Sequence, residues 1–377
     1  VSEVRSFYAI QNFMEDIHCV APDTKILTDK GYFIIKEMEE KEINVWNGYE
    51  FSNVTVKKTS ESSVLYKVSL SNGMELDCTD EHKWHMRVGN QNHPERCKTK
   101  IILTKDLKIG DVITADWSYP ILKVDDPDLF LNPYTHGFFT GDGTYNNGWP
   151  MIYLYGEKKK LLPFLKVSSN KEGKLDSSRD MMRCQITGMI NKDKFTVPVN
   201  YSLDTKLGWL EGYVDADGCS NMNAKKTSAS IQLSSINEQC LKDTQLMLST
   251  IGINSNIKIA HGERYQLFPD GNLSLCNTCY VLYITCYNTE KLYELGFRPK
   301  RVKITIIKSN IKQRNKLVTI TNIIKLEGLS ETYCFNEPKR HTGIFNGILT
   351  GQSRTYSKLL ITYVEDKAER GLLLNAI

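Results

Sequence analysis

A helical repeat breaks off at His18, and its continuation starts only at Ser353. Val4, Phe7, Ile10, Met14 and Ile17 recur every three or four positions, the spacing of one apolar helix face. That segment ends in Glu15-Asp16-Ile17-His18. The pattern that would complete it stands at Ser353-Arg354-Thr355-Tyr356-Ser357-Lys358-Leu359-Leu360. Everything between has a different texture. The chain thus reads as one polypeptide interrupted by another, with a thiol (Cys19) at the first junction and a hydroxyl (Ser353) at the second.

From Pro22 the sequence falls into short β-branched runs, KILTDKGYFII, INVWNGYEF and SVLYKVSLSNGMELDCT, punctuated by Asn47-Gly48 and Asn72-Gly73. Asn-Gly between alternating runs is a hairpin signal. Leu107–Ile113 closes this β-rich part. Beyond Pro127–Tyr134, helical patterns at His136–Asp142, Leu207–Asp217 and Asn237–Ile251 alternate with strand patterns at Met182–Ile190, Ser230–Ser234 and Tyr280–Cys286. Strand patterns return at Leu317–Leu326 and Tyr333–Leu349, and residues 353–377 are helical again. The order helix, β, α/β, β, helix implies an insertion within an insertion.

A chain of 377 residues that is 41% hydrophobic has material for two or three cores. A formal net charge of +4 permits nucleic-acid binding without demanding it. No run of 18 apolar residues is present, so no membrane-spanning helix and no membrane partner is expected. The opening VSEVRSFYAI lacks the features of a signal peptide, and both ends read as cut from a longer polypeptide. Ten cysteines without a regular framework point to reduced thiols and an intracellular, cytoplasmic setting.

Cys19-Val-Ala-Pro-Asp-Thr-Lys-Ile-Leu-Thr, Gly73-Met-Glu-Leu-Asp-Cys-Thr79-Asp-Glu-His82, Glu331-Thr-Tyr-Cys334-Phe and His341-Thr-Gly-Ile-Phe-Asn-Gly-Ile-Leu-Thr-Gly-Gln352 stand in the order of four motifs. Together they resemble the inteins of the Hint fold. The resemblance implies a horseshoe-shaped all-β splicing domain that needs no cofactor. Cys19 would attack the carbonyl of His18 to give a thioester, and Ser353 would take over the upstream segment. Gln352 would then cyclise and cut the chain behind itself. Thr79 and His82 would polarise the first scissile amide and protonate its nitrogen. Cys334 falls where the family often has an Asp that couples the steps, and His341 where a His assists the cyclisation. Inteins usually end in His-Asn, whereas this sequence has Gly351-Gln352; Gln must close a six-membered imide, and His341 carries more of the proton transfer. A competing reading takes Cys78, His82, His85 and Cys97 as zinc ligands, but their spacing fits no standard zinc pattern well.

Two further segments, Thr135-His-Gly137-Phe-Phe-Thr-Gly141-Asp142-Gly143 and Leu210-Glu-Gly212-Tyr-Val-Asp215-Ala-Asp217-Gly218, resemble the signature of LAGLIDADG homing endonucleases. Small residues on one face let two helices pack backbone to backbone. In the family, the acid ending each helix is thereby brought near a pseudo-twofold axis. The resemblance implies an αββαββ-type α+β domain that binds double-stranded DNA at the intein-free host gene. Asp142 and Asp217 would hold Mg²⁺, with Lys194 as a helper. The plainer reading is that GDG and ADG triplets are turn chemistry and that Glu157-Lys158-Lys159-Lys160 and Lys225-Lys226 are solvated faces. Cys276-Asn-Thr-Cys279, beside Cys286, reads as loop packing.

Joining 1–18 to 353–377 gives a sequence that resembles the small, radical-bearing subunit of class I ribonucleotide reductase. Glu15 and His18 have the Glu-x-x-His spacing of di-iron carboxylate ligands, and Tyr356 falls at the radical tyrosine's position. The resemblance implies a di-iron cofactor and a partner large subunit, both only after splicing. The expected architecture is mixed: an N-flank helix at 1–18, a Hint domain from 19–120 and 315–352, an endonuclease domain at 125–305, and a C-flank helix at 353–377, the intein being a monomer. An alternative remains: a chain that splices but whose second domain is an inactive DNA-binding relic. So does a chain whose splicing is dead.

Overall fold

The computed structural model describes residues 19–91, 93, 96–114, 117–168, 174–176, 180–187, 192–222, 229–267, 271–285, 287–306 and 317–351. Hairpins build the outer parts of this span, and three Asn-Gly pairs set their turns. Gly48, at φ +99°, lies between strands Glu42–Trp46 and Phe51–Ser63, and the Asn47 side chain accepts from the Tyr49 and Glu50 amides at 3.1 and 3.0 Å. Gly73, at φ +85°, closes the hairpin of Tyr66–Leu70 and Glu75–Cys78. At Asn346-Gly347 both residues have positive φ, 47° and 82°, as a tight two-residue turn requires. This turn joins the last two strands, Thr342–Phe345 and Ile348–Gly351.

The main sheet mixes strands from both ends of the chain. Its order is Ser330–Phe335, Phe51–Ser63, Glu42–Trp46, Lys25–Thr28, Thr342–Phe345, Ile348–Gly351, with Gly31–Ile34 added beside Lys25–Thr28. A three-stranded sheet (Ile320–Lys325, Tyr66–Leu70, Glu75–Cys78) and the hairpin Lys83–Val88/Lys98–Leu103 flank it. One apolar core joins them, with Val20, Ile26, Leu76 and Trp84 from the first part of the chain and Tyr333, Phe345 and Leu349 from the last. Burial of these side chains, at roughly 25 cal/mol per Å² of apolar surface, ties together segments that the sequence separates.

Among the described residues the intervening body carries four α-helices: α1 (Pro133–Asp142), α2 (Leu203–Asp217), α3 (Glu238–Ser249) and α4 (Tyr287–Glu294). Pro133 opens α1, where its missing N–H costs nothing. Ser202 caps α2 and Asn237 caps α3, each side chain accepting an amide of the first turn. The two ends of α1 and α2 repeat each other. Each helix runs into a glycine, Gly143 or Gly218, with φ −87° and ψ 155° or 157°, and then into a four-stranded antiparallel sheet. The first sheet is Lys174–Asp176, Met181–Gln185, Trp149–Tyr155, Gly143–Asn146; the second is Gly218–Met222, Ala229–Ser235, Cys279–Thr285, Asn256–His261. Each half is thus richer than the two strands of an αββ unit. A two-stranded ribbon buries too little to be stable alone, and the additional strands complete the face against the helices.

Helices α1 and α2 touch through bare backbone. A Cβ at Gly137 would fall 1.8 Å from the Trp209 carbonyl oxygen, and one at Gly212 would fall 1.9 Å from that of Tyr134. Beside this contact, buried His136 accepts from Trp209 Nε1 at 3.0 Å, which leaves its Nε2–H for the Asp193 carbonyl at 3.0 Å. The two bodies also meet. Lys25 pairs with Asp243 at 2.8 Å, Lys242 with Glu75 at 3.1 Å, and Gln245 donates to the Asn72 carbonyl at 3.0 Å. Among the described residues no helix is long and apolar enough to cross a membrane.

Replacing Gly212 with valine drives side-chain atoms into the Tyr134 backbone and should lower stability by about 3 kcal/mol or more. Gly262→Val, at a position where a Cβ meets nothing within 4 Å, should cost no more than about 0.5 kcal/mol. Urea unfolding of both variants checks this; equal midpoints would contradict backbone-to-backbone packing.

Candidate functional site

Cys19 is clamped from two sides. On one side the Val20 and Tyr333 backbones exchange hydrogen bonds, N–H to O 3.2 and 3.1 Å. On the other, the Ala21 amide donates to Asp77 at 2.9 Å and the Thr79 amide donates to the Cys19 carbonyl at 3.1 Å. Both partners run antiparallel to this segment, Val20 pairing with Tyr333 and with Cys78. One step along each register sets Cys19 between Cys334 and Thr79. Cys19 therefore sits in a short central segment, bridged on both sides, that neither half of the chain completes alone.

His82 turns into the same place. It is fully buried, with Nδ1 3.6 Å from the Cys19 sulfur and Nε2 2.9 Å from the Thr350 hydroxyl. If Nε2 carries the proton and donates to Thr350, Nδ1 presents its lone pair to the thiol; the tautomer follows from the network. Burial, with the nearby Lys83 and His85, pushes His82 down to about 3, so it is neutral at neutral pH. The Thr79 hydroxyl is buried and has no hydrogen-bond partner among the described residues. Cys334 is buried next to these groups, its thiol 3.6 Å from the Phe335 carbonyl.

His341 is placed differently. It is exposed, with φ +56°, in a turn organised by Glu337. The buried Glu337 carboxylate accepts the amides of Lys339, Arg340 and His341 and the side chain of Asn47. Burial works against its charge, but hydrogen bonds from Ser52, Arg340, Asn47 and Lys339 overcome this and hold it below the usual carboxylate range. The turn leads into Thr342, which pairs with Gly351 in the last hairpin. His341 thus stands at the open end of that ladder, and among the described residues it is not part of the Cys19–His82–Thr350 group.

The structure also brings Asp142 and Asp217 together, at the C-terminal ends of α1 and α2. Asp217 is exposed as a residue, yet its carboxyl end is crowded: a Cβ at Gly141 would lie 3.0 Å from its Cγ. This burial and the Asp142 carboxylate push Asp217 up to about 6. Two lysines answer the charge. Lys158 pairs with Asp142 at 2.5 Å, and Lys194 donates to the Gly143 carbonyl at 2.6 Å. Half burial draws Lys194 below its ordinary range, with Asp217 and Asp142 opposing.

Lys158 was legible only as one lysine of a solvated run; here it faces inward from a 3₁₀ segment, Gly156–Phe164. Arg301 was not legible at all. Its guanidinium caps the end of α2 through the carbonyls of Asp215, Val214, Ala216 and Gly218, where the helix leaves acceptors unpaired. Asp215 is wholly buried and accepts from Tyr134 Oη and the amides of Lys300, Arg301 and Val302. It therefore belongs to the scaffold rather than to the acid pair.

Asp142 and Asp217 alone fit a small hard cation, since Mg²⁺ is commonly held by one or two carboxylates with water completing its shell. Burial and, after it, the Asp142 charge raise Asp217, and such a cation would relieve the repulsion between the two carboxylates. The zinc reading fails among the described residues, where no three His, Cys, Asp or Glu side chains gather. Cys78 lies against Thr104 at 3.4 Å, its thiol pushed up to about 12 by burial, and His82 is engaged elsewhere. Cys276 and Cys279 hydrogen-bond to the Ser274 and Tyr280 carbonyls. Gln352, Ser353, Glu15, His18, Tyr356 and Cys286 lie outside the described residues.

Residues 204–295 match the family model of the LAGLIDADG-like domain. The matched stretch takes in Asp217 but not α1. The "Ribonucleoside-diphosphate reductase large subunit" of Invertebrate iridescent virus 6 is 40% identical over 348 residues, covering 89% of this chain and 35% of the viral protein. The "ATP-dependent DNA helicase Hel308" of Methanocaldococcus jannaschii is 25% identical over 328 residues, 78% of this chain and 26% of the helicase. The chain thus spans about a third or less of these relatives. A crystal structure of a mutant Ssp DnaB mini-intein variant aligns with 89% of this chain and 99% of its own, at 8% identity and a TM-score of 0.30, too distant a likeness to build on.

The raised Asp217 gives a prediction with a definite sign. The folded protein holds this proton more tightly than the unfolded chain, so the contribution of Asp217 to stability falls as pH rises from about 4 through about 6. Asp142→Asn should move the Asp217 midpoint downward. Carboxyl-carbon NMR titration checks both; an Asp217 midpoint unchanged by Asp142→Asn would show that the two carboxylates do not interact.

Proposed function

We propose that residues 19–352 are a self-splicing intein that also carries a LAGLIDADG homing endonuclease. The observation that supports this most is the buried Cys19–His82–Thr350 group, held in a strand clamped from both ends of the chain. The thiol attacks the carbonyl of residue 18: a C–S bond forms, the C–N bond breaks, and His82 carries the thiol proton to the departing nitrogen. Neutral His82 with Nδ1 toward sulfur suits that transfer. The buried Thr79 hydroxyl, an unused donor beside Cys19, suits the oxyanion that develops. Ser353 then attacks the thioester, Gln352 cyclises, and the ester rearranges to an amide.

The relatives support the reading of an inserted element. A reductase and a helicase have no chemistry in common, yet each matches most of this chain over a minor part of its own length. With 89% of the chain covered, the reductase match runs mainly through the intervening stretch. The relative's designation as a large subunit therefore does not settle the flanks. We propose the small subunit as host on the flanks' own residues, Glu15, His18 and Tyr356. The viral relative's designation speaks against this, and sequencing the full host gene decides it.

For the endonuclease, Asp142 and Asp217 would hold Mg²⁺, which when bound neutralises phosphate charge and activates water. Lys158 and Lys194 keep the unbound acid pair charge-balanced. The target would be the intein-free host gene, because homing requires it.

Incubated under reducing conditions, the full chain should yield a 19–352 product and a joined 1–18/353–377 peptide by intact mass. Cys19→Ala should yield neither, and His82→Ala should slow thiol-induced release of residues 1–18 by about 100-fold or more. Persistence of the full-length mass would refute splicing. Separately, the protein should cut duplex DNA carrying the empty host site only with Mg²⁺, and Asp217→Asn should bind without cutting. A wild-type protein that binds but never cuts would establish the relic reading.

A further inference from the structure

The strand register around Cys19 places a second thiol directly opposite it. Val20 and Tyr333 pair antiparallel and exchange both backbone hydrogen bonds, at 3.2 and 3.1 Å. In such a ladder the next residues outward, Cys19 and Cys334, form a pair that exchanges no backbone hydrogen bonds. The Cα atoms of a pair of this kind stand about 4.5 Å apart, and the two side chains leave on the same face. Disulfides join Cα atoms roughly 4.4–6.8 Å apart, so this pair falls at the near end of the bridgeable range. Both residues are thiols, and both are buried.

The same registers exclude the other nearby cysteine. Cys78 pairs with Val20, and side chains alternate between faces along an extended segment. Cys78 therefore shares the face of Val20 and not that of Cys19. Its thiol is turned to the Thr104 hydroxyl, at 3.4 Å. Cys19 has its sulfur 3.6 Å from His82 Nδ1, a neutral imidazole nitrogen able to take up the thiol proton. The thiolate is the form that attacks an oxidant.

We infer that Cys19 and Cys334 close into a reversible disulfide that withholds the Cys19 sulfur under oxidising conditions. The bond itself follows from the register alone; its effect on splicing rests on the splicing reading above. The oxidant is a small disulfide such as oxidised glutathione. One thiolate attacks it, forming a mixed disulfide and expelling one small thiol. The second cysteine then attacks the mixed disulfide, the Cys19–Cys334 bond forms, and the other small thiol leaves with the remaining proton. Two protein S–H bonds are lost, one S–S bond is gained, and the oxidant is reduced to two thiols. In the bridged form Cys19 has no thiolate with which to attack residue 18. Excess small thiol runs the exchange backwards and restores it.

The test uses the full 377-residue chain with Ser353→Ala, which holds it at the first junction. Diamide serves as oxidant, its azo group taking up the two hydrogens without leaving a mixed disulfide. After alkylation and digestion, mass spectrometry should find the Cys19 and Cys334 peptides joined and 2 Da lighter than their sum. Release of residues 1–18 by hydroxylamine, which does not reduce disulfides, should fall about 10-fold or more on oxidation. It should return with a phosphine reductant, which supplies no thiol. Cys334→Ala and Cys334→Ser, whatever their own rates, should each change less than about twofold on oxidation. Cys19 joined to another cysteine, no joined peptide after prolonged oxidation, or an oxidant response undiminished in both Cys334 variants would overturn the assignment. A joined peptide with unchanged release would overturn the lock. A reduced chain that never releases residues 1–18 would instead sink the splicing reading, while the joined peptide would still report the bond.

Discussion

The structure depends on two ladders closing on one short strand. Val20 exchanges hydrogen bonds with Tyr333 while its neighbours bond to Asp77 and Thr79. Each bond adds only about 0.5–1.5 kcal/mol net. Their geometric effect is larger, because two segments separated by most of the chain become the two walls of one slot. Inside that slot a thiol, an imidazole and two hydroxyls are dehydrated together, and dehydration is what keeps His82 neutral. The same slot could not form before the distal segment has been made and has folded back.

The intervening body answers to a different constraint, the approach of two helices through glycine. Gly137 and Gly212 remove the side chains that would hold α1 and α2 apart. Their C-terminal acids then arrive close together in a crowded place, and burial first, the Asp142 charge second, raise the affinity of Asp217 for protons. Arg301 gathers the carbonyls at the end of α2, so the crowded acid sits on a rigid mount. Proximity at this point follows from the absence of two Cβ atoms, and rigidity from Arg301.

Much of this was legible in the sequence, because the relevant signals are local. Thr79 and His82 lie three residues apart, Asp142-Gly143 and Asp217-Gly218 each end a helix pattern, and Asn-Gly pairs mark their own hairpins. What was not legible comes from strand pairing and packing between distant segments. Thr350 acquires its role only because the last strand passes His82. Lys158 reads as one of a solvated run until the chain turns it onto Asp142. Arg301 lies beyond any motif. His341 lies one step beyond Thr342, which pairs with Gly351, and its amide is held by Glu337, while His85, weighed only as a metal ligand, lies against Gly351.

The contact between the two bodies includes an amide used as a strand. Asn200 accepts the Tyr32 amide at 2.8 Å and donates to the Tyr32 carbonyl at 2.7 Å. Its side chain fills the space over Gly31 at φ +116°, and Ser249 meets the Tyr32 hydroxyl at 2.8 Å. A chain without the inserted body would leave the Tyr32 amide and carbonyl exposed, polar groups that Asn200 now satisfies. Loss of the inserted body would therefore carry a folding penalty for the sheet it leans on.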